Sequence, residues 1–279
     1  MTDLEQVLQD EVASWPVGAA AAAVVDGDGI VARHGPDAVF RWASVTKLLT
    51  ALVVLDLVRD GTVQLDEPVG PPGSTVRHLL AHASGLSAST DRVLAPPGRR
   101  RIYSNHGYEV LAAHVERRGG QPFDLLLRRR LLDPLGMRRT SLRGSPAYGA
   151  EGPVADLCAL AHELLRPRHV PVDLLAEATV TSFPGLSGVL PGFGRQEPND
   201  WGLGFEVRGG KSPHWMAPEG SARAFGHFGQ SGSFLWVDPD ADLACAAAGD
   251  TDFGPWAAAA WPTLSRRVLE TCAQERRRT

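Results

Sequence analysis

The sequence predicts an α+β protein: a central antiparallel sheet built from both ends of the chain, flanked by the terminal helices, with an all-helical lobe inserted between them. Three observations predict it. Short apolar runs divided by Gly, Asp and Pro occur near the start and again after residue 200. Helical spacing marks the two ends, at 3–15 and 255–272. The stretch from Gly70 to about Asp200 is rich in Pro, Gly, Arg and Leu, with only short helical patches. One domain is expected, with an α/β lobe of about 1–60 and 200–279 and a helical lobe of about 61–199. A cleft between the lobes is the expected site.

The elements follow in order. Leu4, Val7, Leu8 and Val12 share one side of the first helix, with Thr2 or Asp3 as its cap. Val17 to Val25 and Ile30 to His34 read as strands joined by the tight turn Asp26-Gly27-Asp28-Gly29. Ser44 to Arg59 is apolar nearly all round, which predicts a buried helix, and Gly61 ends it. Thr75–His82, Gly107–Arg118, Pro122–Leu132 and Asp156–Leu165 are the clearest patches of the middle region. Trp201–Val207, Ala224–Phe228, Ser233–Val237 and Leu243–Ala248 read as strands. Trp256, Trp261, Leu264, Val268 and Leu269 give the closing helix its inner face.

Composition narrows the function. A net charge of −4 argues against a general nucleic-acid or anionic-membrane partner. The runs Arg99–Arg101, Arg128–Arg130 and Arg276–Arg278 read as solvated faces. Cys158, Cys245 and Cys272 are odd in number and lack a Cys-x-x-Cys pair, which suits a reducing compartment and offers no metal framework. The N-terminus is acidic where an export signal would be basic, and Ala19 to Val25 is too short to span a membrane. A cytoplasmic location is therefore expected. His78 and His82, four apart, lack the nearby Glu of a helical zinc site and read as packed or surface residues, so no metal or cofactor is expected.

Lys47 and Lys211 are the only lysines among 28 cationic side chains. Arginine serves wherever a fixed charge suffices, but it cannot give up its proton, whereas a desolvated lysine can. Lys47 lies three residues after Ser44, on the same face of the predicted helix. Ser44 would sit near unpaired N–H groups at the helix start, with Lys47 one turn deeper among apolar residues. A deprotonatable amine there can activate a serine; the plainer alternative is a Ser cap followed by a surface lysine. Tyr103-Ser104-Asn105 precedes another helix and could present a phenol and an amide, or simply cap it. Gly226-His227-Phe228-Gly229-Gln230 is either a site strand that lets a ligand approach the backbone or a Gly-rich strand end with a half-buried His.

In this order, Ser44-x-x-Lys47, Tyr103-x-Asn105 and His227-Phe228-Gly229 resemble the three elements of the serine β-lactamase and penicillin-binding protein superfamily. The Tyr-x-Asn form resembles the branch of class C β-lactamases, DD-peptidases and related esterases. Leu79 to Leu86 looks like its "LLxHxSGL" segment, Tyr103 to Tyr108 like "YSNxGY", and Pro134 to Met137 like "PLGM". The resemblance implies a β-lactamase/transpeptidase-like fold and an acyl-enzyme on Ser44. Lys47 would take the serine proton, alone or with Tyr103, which would return a proton to the leaving group. Asn105 would orient Lys47 and the acyl side. His227 would stand where many relatives have Lys and supply a proton or partial positive charge at the cleft edge. The backbone N–H groups of Ser44 and Gln230, beside Gly229, would form the oxyanion hole.

Phe228 departs from the pattern. That position usually carries a Thr or Ser hydroxyl that helps hold a substrate carboxylate, and Phe cannot donate a hydrogen bond. The expectation is a serine hydrolase for a small ester or amide, with weak or no β-lactam turnover. The alternatives are a true β-lactamase or D-alanyl-D-alanine carboxypeptidase, and a binding module that does not turn over. The expected partner is a small ester, amide or lactam, with no nucleic acid and no membrane.

Overall fold

The computed structural model describes residues 2–278. Thr2 caps α1 (Asp3–Ser14) through a reciprocal pair of hydrogen bonds with Glu5. β1 (Ala20–Asp26) and β2 (Gly29–His34) form the expected hairpin, and the Asp26 carboxylate accepts the N–H groups of Asp28 and Gly29 at its turn. β3 (Phe40–Arg41) leads through a 3-10 turn (Ala43–Val45) into α2 (Thr46–Arg59). Next come α3 (Val76–Leu80), α4 (Asn105–Gly119) and α5 (Phe123–Leu127), the last continued by a π turn at Arg128–Leu132. Then follow β4 (Ser141–Leu142), β5 (Ala150–Gly152), α6 (Val154–Leu165), α7 (Val172–Ala178), β6 (Gly188–Leu190) and β7 (Gly194–Gln196). The chain closes with β8 (Glu206–Val207), β9 (Phe225–Gly229), β10 (Ser233–Asp238), β11 (Leu243–Gly249) and α8 (Pro255–Arg278).

The main sheet runs β2-β1-β11-β10-β9-β8, and every neighbouring pair is antiparallel. First and last strands meet at its centre, where Ala21 pairs with Ala248 and Ala23 with Ala246. Such small side chains let helices approach the sheet closely. α1 and α8 cover one face over Leu8, Phe228, Phe234, Trp236 and Trp261. α2 and α6 belong to the core of the other, with Val25, Leu48, Leu52, Phe205 and Phe225. α2 is buried without a break from Thr46 to Leu57, as its all-round apolar sequence predicts. Gly61, at φ +75°, follows its end.

Some details differ from the sequence reading. Of the stretch 201–207, only Glu206 and Val207 pair with β9. Gly204 turns the chain at φ +97°, so close to α2 that an added Cβ would lie 2.1 Å from that of Ala51. α8 runs on past Cys272, and Arg278 near its end pairs with Asp3 at 3.2 Å. The lobe expected to be all-helical, about 61–199, also carries four strands of two or three residues, too short for a period-two signal. No helix among the described residues is long and apolar enough to cross a membrane.

Candidate active site

The turn that presents Ser44 is clamped on both sides. The Trp42 N–H donates to the Ala150 carbonyl, and its indole N–H to that of Gly152, both at 2.9 Å. Thr46 Oγ1 donates to the Ala43 carbonyl at 2.6 Å and accepts the Ala150 N–H. Ala43 is held at φ +43°, a strained conformation for a residue with a Cβ. Ser44 thus lies in a 3-10 turn just before α2, rather than in its first α-helical turn.

Lys47 lies below it, fully buried. Its Nζ is 2.6 Å from Asn105 Oδ1, 2.8 Å from the Ala147 carbonyl oxygen and 3.4 Å from Ser44 Oγ. Burial drives its pKa well below the ordinary lysine value, against a smaller opposing pull from Glu109. A neutral amine has two protons and one lone pair. The two oxygen acceptors can take both protons, which leaves the lone pair for the serine hydroxyl. The rings of Tyr103 and Tyr108, at 4.7 and 5.4 Å, offer a transient ammonium about 2 kcal/mol of cation–π attraction.

Asn105 opens α4, and the helix cap is Ser104, whose Oγ accepts the Gly107 N–H. With the cap supplied by its neighbour, the Asn105 amide is available to Lys47. The Ser104 N–H donates to His82 Nδ1 at 3.1 Å, which ties this loop to the segment after α3. Tyr103 packs against the His82 ring and lies 3.4 Å from His227 Nε2. Burial pushes its phenol pKa up, and the Ser44 hydroxyl pulls it down.

His227 lines the cavity wall as expected of the cleft edge, but its surroundings oppose the expected supply of a proton. The side chain is buried, and desolvation lowers its pKa to about 3. Nδ1 lies 2.6 Å from the Phe228 carbonyl oxygen, which requires the proton on Nδ1. Nε2 is then an acceptor for the Tyr103 hydroxyl. Phe228 faces the other way: its ring packs against Phe253, Trp215, Phe193 and Trp261 in the aromatic core under α8. It contributes only part of the cavity wall.

Gly229 leaves no room for a side chain, since an added Cβ would lie 2.2 Å from the Trp42 carbonyl oxygen. Ser231 Oγ donates to the Arg41 carbonyl at 2.6 Å, and Ser233 Oγ to that of Trp42 at 2.8 Å. The β9–β10 turn is thereby latched to the segment leading into Ser44, with Gln230 beside the serine. Ser44, Asn105 and Gln230 are shared by two cavities. One, of about 240 Å³, is walled by Tyr103, His227, Trp201, Leu190 and Pro191. The other, of about 510 Å³, is more polar and includes Arg41, Arg143, Tyr148 and Glu151.

Sequence reasoning missed a buried polar cluster behind the first cavity. Glu206 Oε1 accepts from Lys211 at 2.7 Å and lies 2.8 Å from His214 Nε2, while Oε2 accepts the Trp215 indole N–H. These cationic and hydrogen-bonding partners hold the Glu206 carboxyl well below the usual range, although burial opposes them. The second lysine of a lysine-poor chain was the available signal. Among the described residues, no group of three or more His, Cys, Asp or Glu side chains could hold a metal ion.

Comparison with known proteins agrees with this fold. A crystal structure described as a β-lactamase from Mycobacterium bovis is 53% identical, with a TM-score of 0.93 over 95% of this chain and 99% of that one. The D-alanyl-D-alanine-carboxypeptidase/endopeptidase AmpH of Escherichia coli K12 is 29% identical over 39% of this chain and 38% of its own length. Esterase EstB of Burkholderia gladioli is 32% identical over 41% and 46%. The matches span less than half the length of these two curated relatives. The family model for β-lactamase matches residues 4–269. The chain belongs to the β-lactamase family.

Proposed function

We propose that this protein is a serine hydrolase that forms an acyl-enzyme on Ser44 and hydrolyses a small ester or amide. The observation that carries the reading is the setting of Lys47: fully buried, with Asn105 and Ala147 oxygens as acceptors and Ser44 Oγ at 3.4 Å. Lys47 Nζ takes the Ser44 proton as Oγ attacks the acyl carbon. The N–H groups of Ser44 and Gln230 receive the developing oxyanion. Tyr103, hydrogen-bonded to His227, gives its proton to the leaving atom as the bond to the acyl carbon breaks, and the proton held by Lys47 restores the phenol. A water molecule then adds to the acyl-serine with the proton flow reversed, releasing the acid and free Ser44.

The second reading is a β-lactamase or D-alanyl-D-alanine carboxypeptidase, favoured by the names of the M. bovis protein and AmpH. Phe228 weighs against it, because this position offers no hydroxyl to help hold a substrate carboxylate. A binding module is disfavoured because it has no use for a buried amine of lowered pKa set against a serine. Three free, buried cysteines support a reducing, cytoplasmic setting, and the partner in this reading is a small ester, amide or lactam rather than nucleic acid or a membrane.

The test treats the protein and Ser44→Ala with a fluorophosphonate probe, a p-nitrophenyl acyl ester and nitrocefin. Labelling and ester turnover that vanish on substitution support the proposal. Labelling that survives removes Ser44 from the mechanism, and rapid nitrocefin hydrolysis moves the assignment to the second reading.

A further inference from the structure

We infer that the substrate's leaving group is an extended apolar alcohol or amine, held in a groove that continues the smaller cavity past Tyr103. The inference rests on Ser44 acting as the acylated nucleophile. The direction follows from proton transfer. The group that protonates the leaving atom must face it. Tyr103 lines the smaller cavity and is absent from the walls of the polar one. With the carbonyl oxygen directed to the Ser44 and Gln230 N–H groups, the leaving group points toward Tyr103. The acyl remainder falls on the side of Arg143 and Tyr148.

Beyond Tyr103 and Pro191 lies a second depression of about 320 Å³, which shares both residues with the catalytic cavity. Leu94, Ile102 and Val189 supply its apolar lining. Leu94 is 47% exposed and Val189 60%, a cost that a bound alkyl chain would offset. Its walls are held together by Arg101, which is itself buried. The Arg101 N–H donates to the Ser187 carbonyl, beside β6. Its guanidinium donates to the carbonyls of Ala81, Ser182, Phe183 and Asn199. One side chain thus joins the Ile102–Tyr103 wall to the loops around the β6–β7 hairpin, so the groove is built before a ligand arrives.

The experiment measures kcat/KM for ethyl, butyl and hexyl acetate by titrating released acid, with ethyl butanoate and ethyl hexanoate as the acyl-side series. Lengthening the alcohol is expected to raise kcat/KM about fourfold per methylene until the groove is filled. Lengthening the acyl chain is expected to give a far flatter series. Val189→Asp, and separately Leu94→Asp, should reduce the hexyl-to-ethyl acetate ratio at least tenfold. Both positions are exposed enough to accept a charge without unfolding the chain. A flat alcohol series, a preference that follows the acyl chain, or a ratio unchanged in both variants overturns the groove while leaving ester hydrolysis at Ser44 intact. Failure of a fluorophosphonate probe to label Ser44 overturns the nucleophile and the groove together.

Discussion

Lys47 Nζ lies 2.6 Å from Asn105 Oδ1, a contact across 58 residues that joins the start of α2 to the start of α4. In the deprotonated amine that bond takes one proton, the Ala147 carbonyl can take the other, and the lone pair is left for Ser44. Replacing Lys47 with Met should lower ester kcat/KM by about 10²- to 10⁴-fold, the range for loss of a general base. Circular dichroism should show the fold retained, since Met fills a similar volume in the buried space.

Two of the buried bases make stability depend on acid. Burial holds His227 at about 3 and His82 well below its ordinary value, so the unfolded chain binds more protons than the native one below pH 6.5. Stability therefore falls as pH drops from 6.5 toward 3, by a few kcal/mol. Urea midpoints at pH 7 and pH 4.5 measure this, and His227→Asn should flatten the dependence. Turnover should fall in acid as well, because a lowered but finite Lys47 pKa means that the amine is protonated there.

The latch between Ser233 and the Trp42 carbonyl is buried at both ends. Ser233→Ala should cost about 1–2 kcal/mol in urea unfolding. Gly229→Ala should act on chemistry more than on secondary structure. Its Cβ cannot stay 2.2 Å from the Trp42 carbonyl oxygen, so the Gln230 N–H must move away from Ser44. A loss of about 10²-fold or more in kcat is expected, the scale of one missing oxyanion donor.

Lys211 and Glu206 form an ion pair with both side chains at 1% exposure or less. Lys211→Met should destabilise by about 3 kcal/mol, because the Glu206 charge then lacks its cation. The double change Glu206→Gln with Lys211→Met should recover part of that loss. Additive effects in the double-mutant cycle would show that the pair is not coupled.

The helices were legible where their signals are local. Apolar spacing marked α1, α2, α4 and α8, and the Thr2–Glu5 box and Gly61 lie at positions where residue chemistry marks a boundary. The sequence predicts a strand over 201–207 where only Glu206 and Val207 pair with β9, because a glycine turn at Gly204 pressed on α2 looks like extended chain until the helix is in place. Phe228 could be seen to differ from the family pattern. Its consequence depended on strand parity: side chains alternate across a sheet, so adjacent His227 and Phe228 face opposite sides. Only the packed sheet decides which side is the cleft.

By itself, the sequence determined the α+β layering and the order of three chemical elements, because periodicity and short-range spacing are written in neighbouring residues. Tertiary structure decided the protonation of that chemistry. The neutral state of His227 comes from desolvation, and the acceptors around Lys47 come from residues 58 and 100 positions away. It also decided that Lys211 belongs to a buried ion pair with Glu206 rather than to the surface. Burial and charge proximity are properties of the folded neighbourhood, and local spacing does not encode which distant groups will share it.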